Sequence, residues 1–189
     1  FNPSISWSFI SSSYFGVRYY PKGFIFDVAG SSLFPKEDKL FDEMTGFLCS
    51  HIAPNLIKVL NPTLNFQAGN VAQLPFIKIQ ENHLVKECIK LAKIDWDSYE
   101  TSWEFTKNPI ICTQEPSLEQ AFNTWQQQNA NAVAEMKHLE EENNKLFIDA
   151  YGLQDELTPD VPDAQITLTR ANREKDSQRL VSYALGCMM

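Results

Sequence analysis

Glycine is scarce in this 189-residue chain, and no two of the seven present stand within six residues of each other. Gly16, Gly23, Gly30, Gly46, Gly69, Gly152 and Gly186 yield neither a G-x-G turn nor a P-loop, so no glycine-rich loop cradles a phosphate or a nucleotide-like cofactor. Histidine is scarcer still. Cys49-x-His51 and His83-x4-Cys88 come nearest to a metal cluster, and neither has a second half. The same pairs offer a Cys–His nucleophile no further support. The four cysteines are scattered through a chain of ordinary size, which fits reduced thiols rather than a disulfide framework. No apolar run approaches the ~20 residues of a membrane span, and no basic-then-apolar leader opens the chain. A cytoplasmic location without membrane contact is therefore expected. Phe1 at the start and the apolar end Cys187-Met188-Met189 read as the cut ends of a piece of a larger protein.

Positive charge is also short, but unevenly. Of the net −8, residues 1–80 contribute six Lys/Arg against five Asp/Glu, and residues 81–189 ten against nineteen. An acidic second half is ill suited to lie along phosphates, so any nucleic-acid contact is expected in the first 80 residues. With 43% hydrophobic and 12% aromatic residues, the chain has enough apolar side chains for a packed core.

Hydrophobic periodicity changes along the chain. In residues 5–34 Ile5, Trp7 and Phe9 alternate with serines, and Phe24, Phe26 and Val28 alternate with Ile25 and Asp27. This period of two predicts strands, with Tyr20-Pro21-Lys22-Gly23 as a turn between them. Residues 36–60 shift to a helical period, and Pro54 predicts two successive helices or one kinked helix. Residues 64–79 read as extended, with a turn at Gly69-Asn70, and a short helix is expected near 82–95. Ser117 with Gln120 makes a capping box. Behind it Leu118, Phe122, Trp125, Asn129, Ala132, Met136, Leu139, Asn143, Leu146 and Ala150 form a heptad seam. Asn129 and Asn143 occupy the same heptad slot, where a polar residue commonly sets register. Gly152 ends this helix, Pro159 and Pro162 break the chain, and another helix runs from about Thr167. The expected fold class is α+β, mostly helical: a small strand/helix part followed by a long α-helical hairpin. The hairpin packs on itself or, alternatively, joins an intermolecular coiled coil. The expected divisions are 1–80, 81–112 (connecting helix and aromatic-acidic linker) and 113–189 (helical hairpin).

Three stretches could carry chemistry. NPTLNFQAGNVAQLP (61–75) opens like the Asn-Pro-Pro-aromatic loop of an amino-methylating enzyme, in which the Asn and a proline carbonyl accept from a flipped base and the ring stacks on it. Thr63 and Leu64 stand where the second proline and the ring are needed, so the stretch reads as structural and no catalytic residue is assigned. The acids of DWDSYETSWEF (95–105) read as a solvated surface with Trp96, Tyr99, Trp103 and Phe105 packed beneath. Residues 11–23, SSSYFGVRYYPKG, are the best binding candidate. Ser11, Ser12, Ser13, Arg18, Tyr19, Tyr20 and Lys22 supply hydroxyls and cations suited to phosphates and base edges.

The runs YYPKGFIFDVAGSSLF, NPTLNFQAGNVAQLP, KIDWDSYETSWEF, NNKLFIDAYGLQDELTPDVP and REKDSQRLVSYALGCMM together resemble the C-terminal part of PglX-type DNA methyltransferases. These belong to BREX phage-exclusion systems and are related to fused restriction-modification methylases. The resemblance implies an intact adenine-N6 methyltransferase that uses S-adenosylmethionine, with its cofactor loop and catalytic motif upstream of this segment. It implies that residues 1–80 end a target recognition domain and that 113–189 form a helical spacer. Double-stranded DNA and other phage-defence proteins are the implied partners, and the chain itself holds no cofactor or metal. The alternative is a protein-interaction module whose acidic hairpin is the working surface, with no DNA contact. If Arg18, Lys22, Lys36, Lys39 and Lys58 share one face, DNA contact is favoured; if they scatter, interaction is.

Overall fold

The computed structural model describes residues 2–12, 14–79 and 83–189. It contains a three-stranded antiparallel sheet, β1 (Ser4–Ser8), β2 (Val17–Tyr20) and β3 (Gly30–Leu33), with β1 central. Seven helices follow: α1 (Lys39–Cys49), α2 (Ile52–Leu60), α3 (Ala68–Val71), α4 (His83–Asp97), α5 (Pro109–Cys112), α6 (Leu118–Tyr151) and α7 (Arg173–Met188). A 3-10 turn spans Asp163–Gln165. The fold is thus α+β and mostly helical, as the changes of period predict.

The chain forms two compact units. The first comprises Phe1–Ile89 and Leu139–Val161, the second Lys90–His138 and Pro162–Met189, and α4 and α6 each contribute residues to both.

In the first unit, β1 is buried over Ser4–Trp7 because strands flank it on both sides and its small serines let them close over it. Ile5 and Trp7 enter a core with Phe15, Phe47, Leu48, Ile52, Ile57, Phe66, Phe147 and Ile148. The helical run divides between α1 and α2. Buried Ser50 joins them, its hydroxyl donating to Phe47 O at 2.7 Å and accepting from Ile52 N at 3.3 Å. Pro54 falls in the first turn of α2, where no intrahelical N–H is required, so it starts a helix instead of kinking one. The last turns of α6 belong to this core as well. Asn143 Nδ2 donates to Gly46 O at 2.9 Å, and the Phe147 ring lies 5.8 Å from that of Phe47. The helix ends at Gly152, whose φ of +68° suits glycine. Leu153 N bonds to Ile148 O and Gly152 N to Asp149 O, the Schellman pattern.

Two extended readings are corrected here. Residues 24–28 alternate in hydrophobicity but form an irregular exposed loop, and the third strand is Gly30–Leu33 instead. Residues 64–79 contain one isolated bridge, Ile10 to Asn65, and then the short helix α3, so Gly69-Asn70 lies in a helical turn.

In the second unit, Ala121 and Trp125 of α6 pack with Ile110, against half-buried Leu180 of α7 and Ala171. Ser117 caps α6, its Oγ accepting from Gln120 N at 3.3 Å. The return half of the capping box differs, since the Ser117 hydroxyl donates to Gln120 Oε1 at 3.1 Å. The heptad seam is only partly the buried stripe. Leu118 and Leu146 are exposed, while Phe147 and Ile148 are buried. Asn129 Nδ2 donates to Trp125 O in its own helix, and Asn143 Nδ2 donates to Gly46 O of α1.

One half-buried acid makes the first unit sensitive to pH. Burial pushes the Glu140 carboxyl up to about 7. A folded-state pKa above the unfolded one leaves stability intact below the unfolded value and erodes it as pH rises through about 7. Glu140→Gln should therefore leave stability unchanged near pH 4 and raise it by about 1–2 kcal/mol at pH 8, partial exposure having been discounted. Denaturant melts at the two pH values check this.

Candidate nucleic-acid interface

The hairpin candidates do not form one patch. Strand pairing sets Tyr19 opposite Ile5, Arg18 opposite Ser6 and Tyr20 opposite Ser4. Alternation then turns Tyr19 to the core side, where its ring meets Phe41 of α1 edge-on at 5.2 Å. Arg18 and Tyr20 point to the other face. Arg18 is exposed, with Nη1 donating to Ser8 Oγ at 3.4 Å, and the Tyr20 ring rests against Phe24 at 5.2 Å. Lys22 is exposed in the turn after β2, which ends at Gly23 with φ +107°, a conformation glycine adopts without strain.

Ser11 and Ser12 lie beyond the opposite end of β1, where Ser11 N bonds to Leu64 O. At about 3.3 Å per residue, that is roughly 20 Å along the strand from the Lys22 turn. Ser13 lies outside the described residues. The cations do not share one face either. Lys36, Lys39 and Lys58 are exposed, but α1, which begins at Lys39, packs on the Tyr19 side of β2, away from Arg18. What remains is Arg18 and Tyr20 on one side of β2, with exposed Lys22 in the turn that follows it.

The sequence reading missed the most conspicuous surface feature of this unit. Phe24, Ile25, Phe26 and Val28 are all more than half exposed, in the loop joining β2 to β3. Their alternation signals a strand with one buried face, and nothing local reveals that neither face is covered.

The NPTL stretch is held by its own hydrogen bonds. Asn61 Nδ2 donates to Asn65 O and Asn70 Oδ1, each at 3.1 Å, and its Oδ1 accepts from Thr63 N and Oγ1. Both ends of the carboxamide are therefore engaged in shaping the turn after α2.

In the aromatic-acidic stretch the expected layering is corrected. Trp103 is fully exposed and Trp96 mostly so, while Tyr99 and Phe105 are half-buried. The acids are held by neighbours. Asp95 accepts from the Thr169 backbone N–H and hydroxyl at 3.2 Å, and Asp97 accepts from Ser102 Oγ at 2.6 Å and pairs with Lys93. Burial raises the Asp95 carboxyl, with the Thr169 bonds opposing it, whereas the Lys93 and Ser102 bonds lower Asp97. Among the described residues, no three His, Cys, Asp or Glu side chains gather to hold a metal ion, and no helix is long and apolar enough to cross a membrane.

No family model matches the chain. It is similar to the adenine-specific methyltransferase PglX of Lacticaseibacillus casei (strain Zhang), 37% identical over 196 residues, taking in all of this chain and 16% of that protein. It is also similar to the adenine-specific methyltransferase BrxX of Escherichia coli O9:H4 (strain HS), 28% identical over 204 residues, 97% of this chain and 17% of that protein. The chain thus spans about a sixth of the length of these curated relatives. The runs from YYPKGF to the terminal helix resemble this group in order, and the chain is, along its whole length, a relative of a segment of the PglX-type (BREX) adenine-specific methyltransferases.

Proposed function

We propose that this chain is a non-catalytic segment of an S-adenosylmethionine-dependent adenine-N6 DNA methyltransferase acting in phage defence, in the cytoplasm. The observation that carries the reading is similarity along the whole chain to two adenine-specific methyltransferases, of which it spans about a sixth. The seven separated glycines and the consumed carboxamide of Asn61 do not fit a cofactor loop or a base-accepting Asn. The cofactor and the reacting base would therefore be held by the remainder of the protein. The scatter of the five cations favours interaction over a broad DNA-binding face, so recognition by this chain rests on a small patch: Arg18 and Tyr20 of β2, with Lys22 in the turn after it, meet double-stranded DNA, and the helices space that surface or dock partner proteins of the defence system.

The test is DNA binding by the intact protein across a salt series, with Arg18→Glu and Lys22→Glu combined. Each phosphate that is no longer neutralised makes the slope of log affinity against log salt shallower by about 0.9. The double variant should bind several-fold more weakly, with a slope shallower by roughly two. Unchanged affinity with an unchanged slope overturns the assignment. That outcome would favour a second reading, protein docking through the exposed row Phe24, Ile25, Phe26 and Val28, since exposed apolar clusters mark interaction sites.

A further inference from the structure

The loop between β2 and β3 presents an apolar row that no described residue covers. Phe24, Ile25, Phe26 and Val28 are 53%, 79%, 51% and 75% exposed, and Phe34, just beyond β3, is 41% exposed. The row is nonetheless held in place. Asp27 Oδ1 accepts from Ala29 N at 2.9 Å and from Gly30 N at 3.2 Å, and Phe9 N donates to Ala29 O at 3.1 Å. The Phe24 ring leans on Tyr20 and the Phe26 ring on Phe34, with centroids 5.2 Å and 5.1 Å apart. Side chains already supported from behind lose little further freedom when another surface closes over them.

Three kinds of surface could close over it: DNA, a separate protein such as a second copy, or the remainder of the same protein. Charge argues against the first. Between Lys22 and Lys36 the only charged side chain is Asp27, an exposed acid that repels phosphates. Size argues against the second. A stable interface between separate proteins takes roughly 20–30 residues a side, and the row consists of Phe24, Ile25, Phe26, Val28 and Phe34. A covalently attached surface needs far less, because the tether holds it at an effective concentration on the order of millimolar. Chain length supplies such a surface, since this segment spans only 16% and 17% of its two relatives.

We propose that the row docks onto the remainder of the methyltransferase, where Phe24, Ile25, Phe26 and Val28 pack into an apolar, charge-poor recess and fix this segment relative to the catalytic part. The proposal rests on reading the chain as a segment of a longer methyltransferase, and not on DNA contact by Arg18 and Lys22.

The test uses the intact protein carrying Ile25→Cys, treated with a maleimide and then digested with trypsin. Residues 23–36 form one tryptic peptide without a native cysteine, so mass spectrometry reads this thiol alone. In the absence of DNA it should label at least a hundredfold more slowly than in the same protein unfolded in guanidinium, whatever the protein concentration. Hydroxyl-radical footprinting of the unaltered intact protein reads Phe24 and Phe26 in the same peptide, and both should be oxidised at least tenfold more slowly than when unfolded. If the substitution itself loosens the docking, the footprint decides. Phe24 and Phe26 oxidised at close to the unfolded rate overturn the proposal. So does protection that requires added duplex DNA, which makes DNA the occupant, or protection that grows with protein concentration, which makes it a second copy. Adenine methylation by the same preparation is measured separately. Its absence with the row protected would strike the methyltransferase reading and leave the docking in place.

Discussion

Replacing Trp7 by alanine should destabilise the first unit by about 4–5 kcal/mol, the largest single-residue effect expected in this protein. The indole is 2% exposed at the centre of the sheet, with the Phe15 ring 6.0 Å away. Its Nε1–H donates to Phe66 O at 2.8 Å, linking β1 to the segment after α2 across 59 residues of sequence. Alanine removes the aromatic surface, leaves a cavity and strands the Phe66 carbonyl. Trp7→Phe separates the contributions in part, because it keeps an aromatic ring while losing the N–H and some of the indole's volume, and should cost about 1–3 kcal/mol. Unfolding in denaturant, followed by far-ultraviolet circular dichroism, reads both. Equal losses for the two variants would mean that the hydrogen bond, rather than packing, dominates the site.

Asn144 should come second. It is 2% exposed, and its carboxamide serves two remote backbone groups: Oδ1 accepts from His51 N at 2.9 Å and Nδ2 donates to Pro159 O at 3.0 Å. One side chain on α6 thereby ties down both the start of α2 and the loop that follows α6. Asn144→Ala leaves a donor and an acceptor unpaired in a buried setting and should cost about 2–4 kcal/mol. Asn144→Asp keeps the acceptor for His51. When protonated it can still donate to Pro159 O; when ionised it faces that carbonyl with a second oxygen. Burial and the carbonyl raise the new carboxyl's pKa in the folded state, so stability is retained below the unfolded value and lost as pH rises through the folded one. Asn144→Asp should therefore lie close to wild type near pH 4 and fall well below it at pH 8. Thermal melts of variant and wild type at each pH cancel the contribution of Glu140. A deficit of the same size at both pH values would contradict the assigned roles of the two carboxamide atoms.

Features governed by a few adjacent residues were legible without the structure. Ser117 caps α6 and Gly152 closes it, because capping depends on groups within a turn of the helix end. The β1 alternation was readable because one side of the strand does face the core. The α1–α2 division was one of the two readings Pro54 allowed, although the break is made at Ser50 and His51, where a buried hydroxyl supplies the missing backbone partners. The structural reading of Asn61-Pro62 also agrees with the geometry, since both ends of the Asn61 carboxamide are used locally.

Other features depended on which surfaces meet. Residues 24–28 and β1 share the same alternation, yet only β1 lies between two strands. The heptad pattern placed Asn143 correctly on the buried side but gave Asn144 no role, because its two partners lie 93 and 15 residues away. Asn108 is legible as a helix cap, and a cavity beside it is not, since that is assembled from α5, α6, α7 and the segment after α4.

The sequence by itself determined the α+β class, the two ends of α6, the wide spacing of the glycines and the resemblance to PglX-type methyltransferases. Each of these depends on residue types at short, countable spacings, whereas the last helix, expected from about Thr167, begins at Arg173. Tertiary structure decided that Tyr19 turns away from Arg18, that the β2–β3 loop is uncovered and that Asn144 ties the start of α2 to the loop after α6. Those outcomes depend on contacts between residues far apart in the chain, where burial and hydrogen-bond partners are assigned by packing rather than by period.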